Sequence, residues 1–376
     1  MREITPFQTV QKLAKECGAR WKGYEAAVDA TLRAEKKLRR ALLSGNPNGR
    51  LLDYDSSLIL CGSFARYEMT DDSDYDWSLL VDGVVNEDHA AQANQISDAL
   101  DTAKLEQPGR TGTFGNLVFS HDLVHRIGGG PDSNENLTRR MLMLLESRPF
   151  KLTSDSGAEH VWNNVVSNIL QRYFEQDVHF SPAHERRVPR FLLNDVTRYW
   201  RTICVDYAAK HRERGGEEWA IRNAKLRLSR KLLFASGLAF CLSCQLCPPT
   251  TKVTGRVPIS PGRTLPYIQS AMEFARTPSI EFLAQFVDRC VKDGRRRKRV
   301  ASQVFGSYNQ WLILMGDTRN RKHLASLSHE EAKRDKTFQR IRRIGKDFAS
   351  GLRLLFFNRD HDDDPIANLC LDYVGF

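Results

Sequence analysis

The chain has 376 residues, 41% of them hydrophobic, enough for sizeable cores and, at about 150 residues per domain, for two domains. A formal net charge of +10 and a pI near 9.2 favour an anionic partner, whether nucleic acid, free nucleotide or an acidic surface. With no apolar run of 18 residues and no apolar leader core in MREITPFQTVQKLAKEC, the expectation is a soluble, cytoplasmic protein without membrane contact, its eight cysteines reduced.

Residues 7–44 carry a helical pattern through Ala27, Leu32, Ala34, Leu38 and Leu42, which Gly18 either bends or divides and GNPNG at 45–49 ends. Leu58 to Cys61 reads as a short buried strand closed by the turn pair Gly62-Ser63. This opens the stretch GSFARYEMTDDSDYDW, residues 62–77, in which Asp74 and Asp76 lead into a second apolar run, Trp77 to Val81. If that run is a strand, alternation puts both carboxylates on one face. Mg²⁺ suits such a pair, because it keeps several waters and is commonly held by one or two carboxylates plus substrate phosphates. Gly62 would let the backbone approach a triphosphate, and the Ser63 hydroxyl would hydrogen-bond its oxygens. The competing reading is a solvated acidic turn made by Asp71, Asp72, Asp74 and Asp76.

Gly62-Ser63, then Ala65-Arg66, then Ser73-Asp74-Tyr75-Asp76 resembles the nucleotide-binding signature of the DNA polymerase beta nucleotidyltransferase superfamily, written GS, a short basic helix, then SDxD. Among its branches the run is similar to the PII-uridylyltransferase type and the minimal nucleotidyltransferases, which often have Arg-Gly-Glu where this chain has Arg66-Tyr67-Glu68. The resemblance covers roughly the first 150 residues. It implies a catalytic lobe with a mixed sheet, a pair of Mg²⁺ (or Mn²⁺) ions, and a nucleotide held by Gly62, Ser63 and Arg66. In the branch resembling cyclic GMP-AMP synthase a long leading helix joins both lobes; here the helix at 7–44 is either such a spine or an ordinary amphipathic helix.

After the second strand, residues 87–104 read as a helix and Pro108 to Gly115 as a polar loop. The superfamily completes its metal site with a third carboxylate on a neighbouring strand, and within Asn116 to Val124 the candidate is Asp122. His121 and His125 either hold substrate or cap the strand end. Gly128-Gly129-Gly130 precedes a capped helix through Leu137, Met141 and Leu144 and serves as a phosphate loop or as a plain connector.

From about residue 155 the periodicity is helical, over 158–175, 189–213, 217–245, 264–275, 278–292, 298–316 and 329–357. Arg222, Lys225 and Ser229 fall on one helical face and Ile221, Ala224 and Leu228 on another. Relatives set a lysine and a small polar residue of the helical lobe against the triphosphate, which Lys225 and Ser229 match; a solvated basic face is the alternative. Cys241-x-x-Cys244-x-x-Cys247, with Cys290 further on, is either a metal site or part of an apolar helix. Gly294 to Arg299 is a dense basic run, and Arg295, Arg296, Arg297 and Lys298 are its candidate anion or nucleic-acid contacts. The tail RDHDDDPIANLCLDYVGF turns acidic and then apolar, so its end is expected to pack on the body.

The expected fold is therefore α+β: a polymerase-beta-like lobe at 1–154 with the long helix, and an all-helical basic lobe at 155–376. As a nucleotidyltransferase it would move a nucleoside monophosphate from an NTP or dNTP to a hydroxyl, with Asp74, Asp76 and Asp122 as metal ligands and catalytic carboxylates. The acceptor is either another nucleotide, giving a cyclic or linear oligonucleotide of the kind made by related bacterial antiviral synthases, or a protein or tRNA end. A module that binds nucleotide or nucleic acid without catalysis is the reading from a different class, and a partner protein is a further candidate as acceptor or regulator.

Overall fold

The computed structural model describes residues 6–45, 51–109, 113–152, 158–181, 187–213, 217–249, 264–358 and 363–375. The turn expected at 45–49 falls almost wholly outside the described residues, as does the centre of the loop at 108–115. The helical pattern of the first 45 residues forms two helices, α1 (Gln8–Glu16) and α2 (Lys22–Gly45). Gly18 divides them: at φ +65° it is left-handed, and the amides of Gly18 and Ala19 return to the carbonyls of Lys15 and Ala14. That pattern satisfies the orphan carbonyls at the end of α1.

Four strands follow, β1 (Ser56–Cys61), β2 (Trp77–Val81), β3 (Leu117–Phe119) and β4 (Ser147–Pro149), in the order β3-β2-β1-β4. Between them stand α3 (Gly62–Ala65), α4 (Glu87–Thr102), α5 (Ser120–Val124) and α6 (Asn134–Leu145). β1 pairs antiparallel with β2 and with β4, whereas β2 and β3 run parallel. Parallel neighbours need a crossover, and α4 lies within it. The register Leu58↔Leu79 and Leu60↔Trp77 places four apolar side chains on one face, where they pack with Leu38, Leu42, Phe64, Tyr75, Ile96 and Leu100. Each such leucine, wholly buried, contributes about 1.5–3 kcal/mol. The mixed sheet in a mostly helical chain makes the protein α+β.

The remaining helices are α7 (Ala158–Glu175), α8 (Arg190–Glu213), α9 (Trp219–Lys225), α10 (Lys231–Leu246), α11 (Leu265–Arg276), α12 (Ser279–Cys290), α13 (Gly294–Ala301) and α14 (Ser307–Gly316). They continue with α15 (Thr318–Ser326), α16 (His329–Arg334), α17 (Lys336–Phe356) and α18 (Pro365–Cys370). Single π-helical turns join α9 to α10 at Leu226–Arg230 and α13 to α14 at Ser302–Gly306. The helix expected over 329–357 is two, because extended Asp335 ends α16 and caps α17, its carboxylate accepting from the Phe338 amide at 2.7 Å. The tail packs through Ile366, Ala367 and Cys370, which are buried, whereas Leu371 beyond them is 48% exposed.

Contacts divide the chain into two units, and the division differs from the boundary expected at 154/155. The sheet unit comprises 27–172 and 272–278. It retains α7 up to residue 172, because the Trp162 indole donates to Ser147 Oγ at 2.9 Å and Asn164 to Asp82. The helical unit comprises 1–26, 173–271 and 279–376. The first residues belong to it because Glu281 caps α1, accepting from the Thr9 and Val10 amides at 2.7 and 3.1 Å. The Gly23 amide likewise donates to Asn309 at 2.7 Å, and Tyr24 to the Phe305 carbonyl. Within this unit two glycines of α17 let the π turns approach closely. A Cβ on Gly351 would lie 2.7 Å from Val304, and one on Gly345 would lie 3.3 Å from the Arg227 Cβ. No described helix is long and apolar enough to cross a membrane.

Candidate active site

β1 delivers the chain to Gly62, which sits at φ +61° and opens the single helical turn α3. An ideal Cβ on Gly62 would stand 2.7 Å from Asp76 Oδ2, so this backbone can approach that carboxylate only without a side chain. The Cys61 amide donates to the Asp76 carbonyl at 2.9 Å, extending the β1–β2 pairing by one step. Asp74 and Asp76 thus lie just ahead of β2 rather than on it. Burial alternates there: Ser73, Tyr75 and Trp77 are buried while Asp72, Asp74 and Asp76 are half-buried. Tyr75 packs edge-on to Phe64 at 5.4 Å, which anchors the inward side and leaves the carboxylates on the other. Burial, then the charges of Asp76 and Glu146, push the Cys61 thiol well above the ordinary range, so Cys61 is an inert neighbour of both acids.

Ser63 is half-buried, its hydroxyl 3.7 Å from Met69 Sδ. Arg66 is not placed to grip phosphate, contrary to expectation. Its side chain is 8% exposed and is held by Glu68 at 2.9 Å and by Glu146, two carboxylates that are themselves buried. With two buried acids to neutralise, the guanidinium ties α3 to the residue preceding β4. Tyr67 occupies the left-handed region at φ +58°, and Arg148 lies 4.4 Å over its ring. Arg148 also donates to the Phe64 carbonyl and pairs with Glu35.

Asp122 corrects the sequence expectation most clearly. The strand ends at Phe119, and Asp122 lies on α5, paired with Arg126 at 3.0 Å. Because β3 runs parallel to β2 with Phe119 beside Val81, the chain beyond Phe119 leaves from the end of β2 remote from Asp76. Five residues at about 3.3 Å each separate those ends by about 17 Å. Asp122 therefore does not complete a carboxylate triad with Asp74 and Asp76. The residue just ahead of β3, on the Asp76 side, is Asn116, whose carbonyl accepts from the Leu79 amide at 3.1 Å. Among the described residues no group of three or more His, Cys, Asp or Glu side chains is placed to hold a metal ion. Two carboxylates, one of them lying where a Cβ on Gly62 would clash, are a donor set that suits Mg²⁺ held jointly with a substrate's phosphates.

The other candidates separate into engaged and exposed groups. Asp132 closes the glycine loop, accepting from the Gly128 amide at 3.1 Å and bidentately from buried Arg140 at 2.9 Å. His121 and His125 lie with their rings 5.1 Å apart at the end of β3. In the helical unit Ile221, Ala224 and Leu228 are buried as expected. Ser229 is also buried, its hydroxyl donating to the Lys225 carbonyl one turn back at 3.2 Å, while Lys225 is half-buried. The basic run is helical from Gly294, not loop, because the Asp293 carboxylate caps it at Arg295. Arg296 is spent on Asp364 and on the Leu354 and Leu355 carbonyls at the end of α17, and Arg297 on Glu16 at 3.2 Å. Arg295, Lys298 and Arg299 remain exposed.

Cys241 and Cys244 are buried in α10 with thiols driven up by burial, as expected of core residues. Cys247 instead meets Cys290, the distant cysteine grouped with that run in the sequence, sulfur to sulfur at 3.0 Å across 43 positions. No family model, curated protein or solved structure matches the chain.

Proposed function

We propose that the protein is a nucleotidyltransferase, moving a nucleoside monophosphate from an NTP or dNTP to a hydroxyl acceptor with release of pyrophosphate. The observation that carries this reading is the approach of left-handed Gly62 to the Asp76 carboxylate, so close that no Cβ fits. A solvated acidic turn has no need of such a glycine. In this reading Asp74 and Asp76 hold Mg²⁺ or Mn²⁺, which would neutralise phosphate charge and favour the nucleophilic form of the acceptor. Gly62 brings its backbone against the phosphates, and the Ser63 hydroxyl donates to a phosphate oxygen. Arg66, Glu68 and Glu146 keep the turn in place without touching substrate. The acceptor oxygen bonds to the α-phosphorus as the bond to the pyrophosphate oxygen breaks, and the hydroxyl proton passes to Asp74 or Asp76 or to water. The favoured acceptor is a second nucleotide, giving a cyclic or linear oligonucleotide; a protein side chain or a nucleic-acid end is the alternative.

A second reading, nucleotide binding without transfer, is favoured by Asn116 at the flank of the pair and by the remote position of Asp122. One experiment separates them. Purified protein and its Asp74→Asn/Asp76→Asn variant are incubated with each labelled NTP and dNTP and Mg²⁺ or Mn²⁺, alone and with tRNA or single-stranded DNA. New nucleotide products or labelled acceptors, absent from the variant, support transfer. Metal-dependent binding with no pyrophosphate released refutes transfer and supports the binding module.

A further inference from the structure

Within itself, the helical unit gathers cations that lack acidic partners. Arg227 stands on the π turn between α9 and α10, and Lys231 follows four residues later at the start of α10. The Arg227 stem lies against Gly345 of α17, which brings Arg342 of that helix beside it. Arg353 stands on the same side of α17 as Arg342, since eleven residues turn the helix through about three full revolutions. Exposed Lys346 falls between them on that face. The partners of these groups are neutral: Asn223 accepts from Arg227 at 2.6 Å and Ser350 from Arg353 at 3.1 Å. Among the described residues no carboxylate pairs with Arg227, Lys231, Arg342 or Arg353. The acids of the nearby helices, Asp206 on α8 and Asp347 on α17, point about 100° or more away from the sides carrying Cys204, Tyr207 and the arginines.

The cluster repels itself. Burial, then the charges of Arg227 and Arg353, pull the Lys231 ammonium below the ordinary lysine range, with the nearby Cys204 thiol opposing. Burial, then Arg342, does the same to Arg227, with Tyr207 opposing. Arg227 and Lys231, half-buried without counter-charge, are costly there, Arg342 and Arg353 stand exposed beside them, and a π turn is often found where function is built. A bound anion would relieve both. From Arg342 to Arg353 the row spans about 16 Å at 1.5 Å per residue, long enough to meet several successive phosphates of an extended strand. Three linked phosphates of a single nucleotide would fill only part of it.

We propose that Arg227, Lys231, Arg342 and Arg353 form a binding site for the phosphodiester backbone of a nucleic-acid strand. The proposal is independent of nucleotidyl transfer and is tested without metal. Binding of a fluorescent 20-nucleotide single-stranded RNA is followed by anisotropy in EDTA across a salt series. The proteins compared are wild type, Lys231→Met, Arg342→Gln/Arg353→Gln, and a control of equal charge loss on the same unit, Arg319→Gln/Lys322→Gln. The site double variant is expected to bind about tenfold more weakly and to lose about 1.4 from the slope of log affinity against log salt, at about 0.7 per contact. The control is expected to stay near wild type. Lys231→Met is expected to melt higher than wild type without RNA and to gain less from RNA, which a merely structural lysine would not do. Equal losses in both double variants would overturn the proposal, leaving only diffuse charge attraction. So would full competition by ATP at concentrations matching its own affinity in phosphates, which would make a free nucleotide the occupant.

Discussion

Replacing Gly62 by alanine perturbs the sheet unit in two separable ways. The backbone at φ +61° costs an L-residue about 1–2 kcal/mol. The new methyl would meet Asp76 Oδ2 at 2.7 Å, nearer than real Cβ atoms come, so the carboxylate must move as well. Taken together these amount to about 2 kcal/mol, and for a unit of this size about 2–4 °C of melting temperature per kcal/mol. The expected drop is therefore about 4–8 °C by thermal unfolding followed by circular dichroism. Gly130→Ala is the matched control, since its Cβ would meet nothing within 4 Å, and it is expected to melt within about 1–2 °C of wild type. If Asp76 holds metal as proposed, Mn²⁺ plus nucleotide raises the melting temperature of wild type, and Gly62→Ala, with Asp76 displaced, is expected to lose that rise. Melting alike in both variants would refute the steric argument. A full drop in melting with the metal and nucleotide response intact would refute the link between this glycine and phosphate.

Tyr67 should invert the usual ranking of glycine and alanine. At φ +58°, Tyr67→Gly is expected to be about 1 kcal/mol more stable than Tyr67→Ala in urea unfolding, and the opposite order would show that the left-handed backbone is not retained. Arg66→Met leaves buried Glu68 and Glu146 without their cation and is expected to cost about 3–5 kcal/mol; a loss below about 1 kcal/mol would mean the acids are solvated. The Cys290 thiol donates to Cys247, and Arg289 and Lys292 add positive charge against the opposing effect of burial, which together hold the Cys247 thiol down to about 6. Alkylation of Cys247, followed by mass spectrometry, should therefore rise as pH passes upward through about 6 and then level, while buried Cys61 and Cys244 stay unmodified in the native protein. Cys290→Ala should move that midpoint up toward the ordinary thiol range, about 8.5, and an unchanged midpoint would disprove the role of Cys290.

The parts of the fold legible in the sequence are those whose cause is local. A strand, a glycine needing a left-handed turn, and an alternating run of carboxylates are written within residues 57–81, and the apolar stripe Ile221, Ala224 and Leu228 lies within eight. What escaped was set by distant partners. The direction of β3, which removes Asp122 from the pair, depends on the crossover that carries the chain back to β2, and three apolar residues at 117–119 say nothing of it. Arg66 looked available because its second acid, Glu146, comes 80 positions later. Arg296 and Arg297 looked like free charges because Asp364 and Glu16 are remote in the chain. Residues 1–26 belong with the helical unit for the same reason, their partners being Glu281, Phe305 and Asn309.

The π turn at Leu226–Arg230 sets a phase as well as a shape. Closing a hydrogen bond over five residues instead of four amounts to one residue more than an α-helix would use, and that residue rotates everything after it by about 100° relative to α9. Lys231, the seating of buried α10 and the final placement of Cys247 against Cys290 are all keyed to that offset. Deleting a single residue between 226 and 230 would thus act at long range: it would turn α10 about its own axis, move the side chains of this almost wholly buried helix out of their seats and part the two sulfurs, without altering any residue in contact with them.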